Sequence, residues 1–176
     1  MTSGRTWTFG DNINTDLMLP GPVLMKSEQE QARAVFQANR PGWIDEMRPG
    51  DIIIGGRNFG MGSSRPAARS LRNIGIAALV AESINGLFFR LAVNYGFLAI
   101  ECPGVSTAFQ EGDVAEIRMQ SWTVINQRTG AMLDATPIPT RLLEMMQGGG
   151  VYPILVAKGL VEPTEAIKRK ILGPSR

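Results

Sequence analysis

Ser63-Ser64-Arg65 sets two hydroxyls and a guanidinium side by side at the end of a glycine-rich run, Gly55-Gly56-Arg57-Asn58-Phe59-Gly60-Met61-Gly62. Glycines let a backbone turn sharply and approach a ligand closely. An arginine can grip a carboxylate through two parallel hydrogen bonds. The run follows the β-branched stretch Asp51-Ile52-Ile53-Ile54 and precedes a helical segment from about Pro66 to Asn73. A helix N-terminus offers unsatisfied N–H groups and a positive dipole end, which suits an anion. Nucleotide-phosphate motifs fail here. A P-loop needs Gly-Lys-Ser/Thr, and the loop has no lysine; Gly60-Met61-Gly62 opens a dinucleotide fingerprint, but Arg65 stands at the third glycine position. The residues alone leave two readings open: an anion-binding turn with a hydroxyl at its tip, or a purely structural glycine-rich turn.

The rest of the chain limits the available chemistry. Its 176 residues contain no histidine and one cysteine, Cys102. That excludes, within this chain, a Ser-His-Asp triad, a Cys-His pair, a His-ligated zinc site, a Cys-rich metal site and an internal disulfide. Any acid or base is another side chain or comes from a partner. The net charge is only +2, and the one dense basic run, Lys168-Arg169-Lys170, reads as a solvated helix end rather than a nucleic-acid site. Asp11, Asp51 and Glu82 read as turn or surface carboxylates, Phe88, Phe89 and Tyr95 as core, Arg90 as a surface or structural ion pair, and Met145-Met146 as an apolar helix end. No basic segment followed by an apolar run opens the chain, and the most apolar stretch, Ile74 to Val80, is too short to span a bilayer. The expectation is a cytoplasmic protein that binds neither nucleic acid nor membrane.

The elements that must position the loop are legible in outline. Residues around Trp7, Phe9 and Gly10 form a short strand and turn, followed by the polar Asp11-Asn12-Ile13-Asn14-Thr15-Asp16 and an apolar segment stopped by Pro20 and Pro22. Ser27 caps a helix running through Glu28 to about Gln37. Strands are expected at Asp51–Ile54, Ile76–Ala81 and Phe97–Ile100. Helices lie between them, the second capped by Ser83 and closed by Gly96. Strand, helix, strand, helix, strand argues for parallel crossover units. Val114–Met119 and Trp122–Asn126 alternate in polarity and belong to antiparallel strands, with a hairpin turn at Asn126–Gly130. A helix from Thr140 to Met146, the Gly148-Gly149-Gly150 run and a short helix from Pro163 to Ile171 complete the chain. The fold class is α/β: a mixed sheet with parallel strand–helix–strand units and added antiparallel strands.

Three segments together resemble a known family. Asn58-Phe59-Gly60-x-Gly62-Ser63-Ser64-Arg65 resembles the Asn-Phe-Gly-Cys-Gly-Ser-Ser-Arg signature of the aconitase superfamily swivel domain. Asn14-Thr15-Asp16 with Leu19-Pro20 resembles its Asp-Thr-Asp element ending in Ile-Ile-Pro. Ala81-Glu82-Ser83, Phe88-Phe89-Arg90 and Asn94-Tyr95-Gly96 resemble its Ala-Glu-Ser…Phe-Phe-Arg-Asn-Ala-Ile-Asn-Asn-Gly segment. The three lie in matching order over roughly residues 8–130, and the length is similar to that of a 3-isopropylmalate dehydratase small subunit.

The resemblance implies a swivelling β/β/α domain over 1–176, with a core at about 8–130 and C-terminal helices and tail at 139–176. It implies a hydro-lyase small subunit that dehydrates and rehydrates a branched hydroxy diacid in leucine biosynthesis. Ser63 is implied as the general base, Ser64 as a hydrogen-bond donor to substrate or base, and Arg65 as the carboxylate grip. Thr15, Asp16 and Gly62 line the same site. A large partner subunit, in a heterodimer or heterotetramer, is implied to carry the [4Fe-4S] cluster, with no metal or cofactor held by this chain. The substrate is a small di- or tricarboxylate.

Some positions depart from the pattern. Met61 stands where a cysteine is common, and Pro66-Ala67 replaces a Glu-His or Glu-Gln pair; Pro66 reads as a first-turn proline that leaves the helix intact or shifts its first turn. Val23-Leu24-Met25-Lys26 occupies the specificity loop, which resembles Tyr-Leu-Arg-Thr in isopropylmalate enzymes and Tyr-Leu-Tyr-Lys in homoaconitases. Its apolar surface could accept an alkyl group, so hydratases of methyl- or dimethyl-substituted malate or maleate and a homoaconitase-like substrate stay open. So does a non-catalytic dicarboxylate-binding or regulatory module.

Overall fold

Ile52, Ile53 and Ile54 are all buried, as a strand covered on both faces requires. In the computed structural model, which describes residues 1–163, they form β2 (Ile52–Gly55) in a seven-stranded sheet. Its strand order is β4-β3-β2-β1-β5-β6-β7, with β1 (Thr2–Thr8), β3 (Ala78–Ala81), β4 (Ala99–Glu101), β5 (Val114–Arg118), β6 (Thr123–Asn126) and β7 (Met132–Asp134). β1 to β4 pair in parallel, and β5 to β7 extend the other side of β1 antiparallel. Beyond β7, Thr136 N–H donates to the Glu101 carbonyl at 2.8 Å, which brings the end of β7 against the end of β4 and curls the sheet. The mixed α/β reading therefore holds, with β7 added.

Eight helices surround the sheet among the described residues: α1 (Thr15–Met18), α2 (Glu28–Arg33), α3 (Trp43–Glu46), α4 (Ala67–Asn73), α5 (Gly86–Tyr95), α6 (Val105–Ala108), α7 (Thr140–Gln147) and α8 (Val151–Ala157). α1 to α3 lie in the crossover from β1 to β2, α4 and α5 make the next two crossovers, and α7 and α8 pack on α5. No described helix is long and apolar enough to cross a membrane. The expected helix at Pro163–Ile171 and the run Lys168-Arg169-Lys170 lie outside the described residues, apart from Pro163 itself.

Three local expectations are corrected. α2 has its capping box, Ser27 with Glu30, but ends at Arg33 rather than Gln37. Phe36 takes a positive φ of 62° and donates its N–H to the Met18 carbonyl at 3.1 Å. This places its ring in a cluster with Phe9 (4.3 Å, stacked) and Trp43 (5.0 Å, edge-on); burying a ring is worth about 1.5–3 kcal/mol, more than another turn of helix. Asn85, not Ser83, caps α5, its Oδ1 accepting from Leu87 N–H at 3.0 Å. Asp51 is buried rather than on the surface: it accepts from Arg5, the Trp7 indole and the Arg48 N–H, fixing the entry to β2.

Candidate active site

The glycine-rich loop leaves the end of β2 and is shaped by what lies beneath it. Gly60 has φ +80°, and a Cβ there would sit 2.3 Å from Cγ of the buried Phe88, so only a residue without a side chain lets the loop rest on α5. Asn58, with φ 54°, is held on several sides. Its N–H donates to Ser83 Oγ (2.9 Å), its side-chain amide to Asn12 Oδ1 (3.0 Å) and to Met61 Sδ (3.6 Å), and its Oδ1 accepts from Asn85 (3.4 Å). Ser83, freed from capping, thus props the loop, and its carbonyl accepts from Phe59 N–H at 3.0 Å.

The turn from Asp11 to Leu19 forms the opposite wall. Asn14 caps α1 by accepting from Asp16 N–H at 2.7 Å, and Asn14 and Met61 form a parallel bridge. Thr15 is buried, and its hydroxyl reaches the carbonyl oxygens of Met61 (3.1 Å) and Ser63 (2.7 Å). Arg65 donates from Nε to Asp16 Oδ1 and from Nη1 to the Leu19 carbonyl, each at 2.6 Å. Its Nη2 has no acceptor among the described residues. The Asp16 carboxyl is held below the usual carboxylate range first by the Ser63 hydroxyl and then by Arg65, against partial desolvation. Two tight turns order the tip, with Arg65 N–H donating to Ser63 O (2.7 Å) and Ala67 N–H to Arg65 O (2.8 Å). Pro66, at φ −76° and ψ 40°, suits the second of these turns, so it sits at the N-cap of α4 and not inside its first turn.

Thr15, Asp16, Gly62, Ser63 and Arg65 therefore converge. Ser63 and Ser64 are exposed beside them, and Ser64 makes no hydrogen bond among the described residues. The arrangement joins an exposed hydroxyl, a carboxylate that stays ionised and a partly satisfied guanidinium on one open surface. It can bind a carboxylate and hold a proton-transferring oxygen beside it. Residues 13–104 match the aconitase C-terminal domain family. The chain is 39% identical over 157 residues to the isopropylmalate/citramalate isomerase small subunit of Methanocaldococcus jannaschii, covering 88% of this chain and 94% of that one. It is 40% identical over 150 residues to the 3-isopropylmalate dehydratase small subunit of Thermodesulfovibrio yellowstonii, covering 84% and 89%.

The chain belongs to the isopropylmalate dehydratase small-subunit family. Its structure is similar to the crystal structure of 3-isopropylmalate dehydratase from M. jannaschii, with a TM-score of 0.83 at 28% identity over 90% of this chain and 95% of that one. Within the family, Met61 does not break the loop: its sulfur accepts from Asn58, the residue that carries the first strained turn. Val23, Leu24, Met25 and Lys26 are not hydrogen-bonded to the Ser63 loop among the described residues. Val23 closes the 3₁₀ turn Gly21–Val23 and Leu24, Met25 and Lys26 follow it, with Val23 and Leu24 half-buried and Met25 93% exposed.

No group of His, Cys, Asp and Glu side chains among the described residues could hold a metal ion, and Cys102 is buried, its thiol pushed up to about 11 by that burial. One cysteine in the whole sequence cannot supply the several thiolates that hold an iron–sulfur cluster. Glu82 and Asp11 have structural partners: Glu82 accepts from Gly104 and Ser106, and Asp11 from Arg57 N–H at 2.6 Å. The sequence pattern gave Asn14, Leu19 and Asn58 no part in the site and read Ser83 only as a helix cap. Asn14 carried a usable signal, an N-cap residue ahead of a carboxylate in a first turn; the others act through tertiary contacts that no local pattern encodes.

Proposed function

We propose that Ser63 is the general base of a hydro-lyase that this chain forms with a large subunit. The Ser63 alkoxide takes the proton from the carbon next to a substrate carboxylate as the hydroxyl on the neighbouring carbon leaves; rehydration places that oxygen on the first carbon and returns the Ser63 proton to its neighbour. Arg65 grips that carboxylate, and its charge lowers the cost of negative charge on Ser63. Asp16 orients the Arg65 guanidinium through its Nε, beside Ser63. Ser64 hydrogen-bonds the substrate, while Thr15 and Gly62 fix the loop. The [4Fe-4S] cluster belongs to the large subunit in this reading, in a heterodimer or heterotetramer, and the whole chain, 1–176, acts as one swivel domain in the cytoplasm.

The observation that carries the reading is the convergence of Ser63, Asp16 and Arg65 in a chain without histidine. With the cognate large subunit, Ser63→Ala should lower kcat by about a thousandfold, the scale of a lost general base, with unchanged assembly by sedimentation. Near-parental turnover by that variant removes Ser63 from the role.

For the substrate, we infer a 2-alkylmalate. Val23 and Leu24 offer apolar surface to an alkyl group, and the loop lacks the aromatic residue of the isopropylmalate and homoaconitase patterns. The relative from M. jannaschii named for both isopropylmalate and citramalate supports acceptance of methyl as well as isopropyl substituents. Comparing kcat/KM for 2-methylmalate, 2-isopropylmalate and homoaconitate decides; a preference for homoaconitate rejects the alkyl reading.

A further inference from the structure

Gln31 is buried, and its side-chain amide is used at both ends. Nε2 donates to the carbonyl oxygens of Leu24 (3.0 Å) and Lys26 (2.9 Å), while Oε1 accepts from Nη2 of Arg69 (2.8 Å). Arg69 lies on α4, the helix that leads directly out of the Ser63–Arg65 turn. It also donates to Glu28 (3.1 Å) and rests over the ring of Tyr95 (5.5 Å).

Val23 and Leu24 pack against the core, but few polar contacts fix the backbone of the Gly21–Lys26 segment. Its backbone bonds are local: Val23 N–H to Pro20 O (2.9 Å), and Leu24 N–H to Gly21 O and Lys26 N–H to Val23 O, each 3.1 Å. Among the described residues, Gln31 is the only side chain that hydrogen-bonds to this segment. Buried amides in low dielectric hold their partners firmly, because leaving any of the groups unpaired costs about 1–3 kcal/mol.

We propose that Gln31 is a positioning residue for substrate selection. Through Arg69 it fastens the Leu24–Lys26 backbone to α4, so the surface that meets the substrate's alkyl group moves as one body with the Ser63–Arg65 turn. The inference rests on reading Val23–Lys26 as the specificity loop. Gln31 touches no substrate in this role; it acts through the carbonyls it holds.

Two variants test it. Gln31→Glu keeps an acceptor for Arg69 but cannot donate to the two carbonyls, and Gln31→Met keeps the volume without the polarity. In the isolated chain, tryptic cleavage after the exposed Lys26 should accelerate about tenfold in both, the order set by losing two hydrogen bonds of modest net worth. In the pair reconstituted with the large subunit, KM for the preferred 2-alkylmalate should rise about fivefold to tenfold with kcat within about twofold. Discrimination between methyl, ethyl and isopropyl substituents should narrow. Arg69→Met leaves Gln31 in place, removes its anchor on α4 together with the Glu28 and Tyr95 contacts, and should produce the same changes at smaller size, so the test survives a core variant that does not fold. Unchanged cleavage after Lys26 overturns the tether itself. Faster cleavage with unchanged KM and unchanged discrimination overturns the specificity-loop reading and the role with it, while leaving the Ser63→Ala result untouched. A fall in kcat at constant KM overturns substrate selection as the role.

Discussion

Asp16 and Arg65 stand 49 residues apart in sequence and are joined at 2.6 Å, carboxylate oxygen to guanidinium Nε. One side chain thus couples the first turn of α1 to the tip of the glycine-rich loop. Both pair members remain partly exposed, so the pair contributes modestly to stability. Its weight falls on geometry: it orients the arginine that the proposed chemistry uses.

Asp16→Asn should accordingly lower kcat/KM of the reconstituted enzyme by about tenfold to a hundredfold while leaving the fold intact. The pH dependence has a definite sign. The Ser63 hydroxyl, and after it Arg65, depress the Asp16 pKa in the folded chain. A depressed carboxyl stabilises the fold at pH above its unfolded value, about 4, and loses that contribution as pH falls through the lower folded value. The stability gap between parent and Asp16→Asn should stay constant from about pH 5 to 8 and close only below about pH 4. Urea midpoints across that range check it, and a gap that closes near neutral pH contradicts the assigned ionisation.

Asp113 is the corresponding hub of the antiparallel half. Its carboxylate accepts from Arg128, from Asn126 Nδ2 (2.7 Å) and from Gln110 N–H (2.9 Å), and its carbonyl accepts from Thr6 N–H (2.7 Å). Arg128 first, then the Gln110 and Asn126 hydrogen bonds, hold the carboxyl far below its usual range despite burial. Asp113→Ala leaves the buried Asn126 Nδ2 with only the Ala108 carbonyl (2.8 Å) to donate to and Gln110 N–H without its carboxylate, and should cost about 2–4 kcal/mol, read as a lower urea midpoint. The folded fraction should keep parental kcat, because no hydrogen bond of Asp113 reaches the Ser63 loop.

The sequence carried the parallel half of the fold because buried β-branched runs alternate there with capped helices, and local pattern suffices. It carried Ser63, Arg65 and Asp16 only through the shared motifs, since nothing local says that Asn14 to Leu19 lies against the loop. α2 ended early because an aromatic cluster outweighed propensity at Phe36. Ser83 was misread because two N-cap residue types, Ser83 and Asn85, stand two positions apart and compete, and Asn58, far away in sequence, decided between them. Gln31 was invisible for the same reason: a glutamine inside a polar helix pattern gives no sign that it faces inward to two loop carbonyls.

Gly62 offers the sharpest test of the shared wall. Its φ is +100°, and a Cβ there would lie 2.3 Å from Asn14 Oδ1 and 3.0 Å from Thr15 Oγ1. Both atoms are engaged: Asn14 Oδ1 caps α1 at Asp16 N–H, and Thr15 Oγ1 holds the Ser63 carbonyl. Gly62→Ala therefore adds left-handed strain, on the order of 1–2 kcal/mol, and displaces the two groups that set Asp16 and Ser63. Activity of the reconstituted enzyme should fall about a hundredfold or more, with a measurable loss of stability. Gly86 supplies the contrast: at the start of α5 it has nothing within 4 Å of an added Cβ and no positive φ. Gly86→Ala should leave kcat unchanged and stabilise the chain by about 0.4–1 kcal/mol, chiefly by restricting the unfolded state. The same methyl group should thus act with opposite signs at the two positions. Equal effects at Gly62 and Gly86, in kinetics and in urea, mean that the Asn14–Asp16 turn does not press on the loop as described.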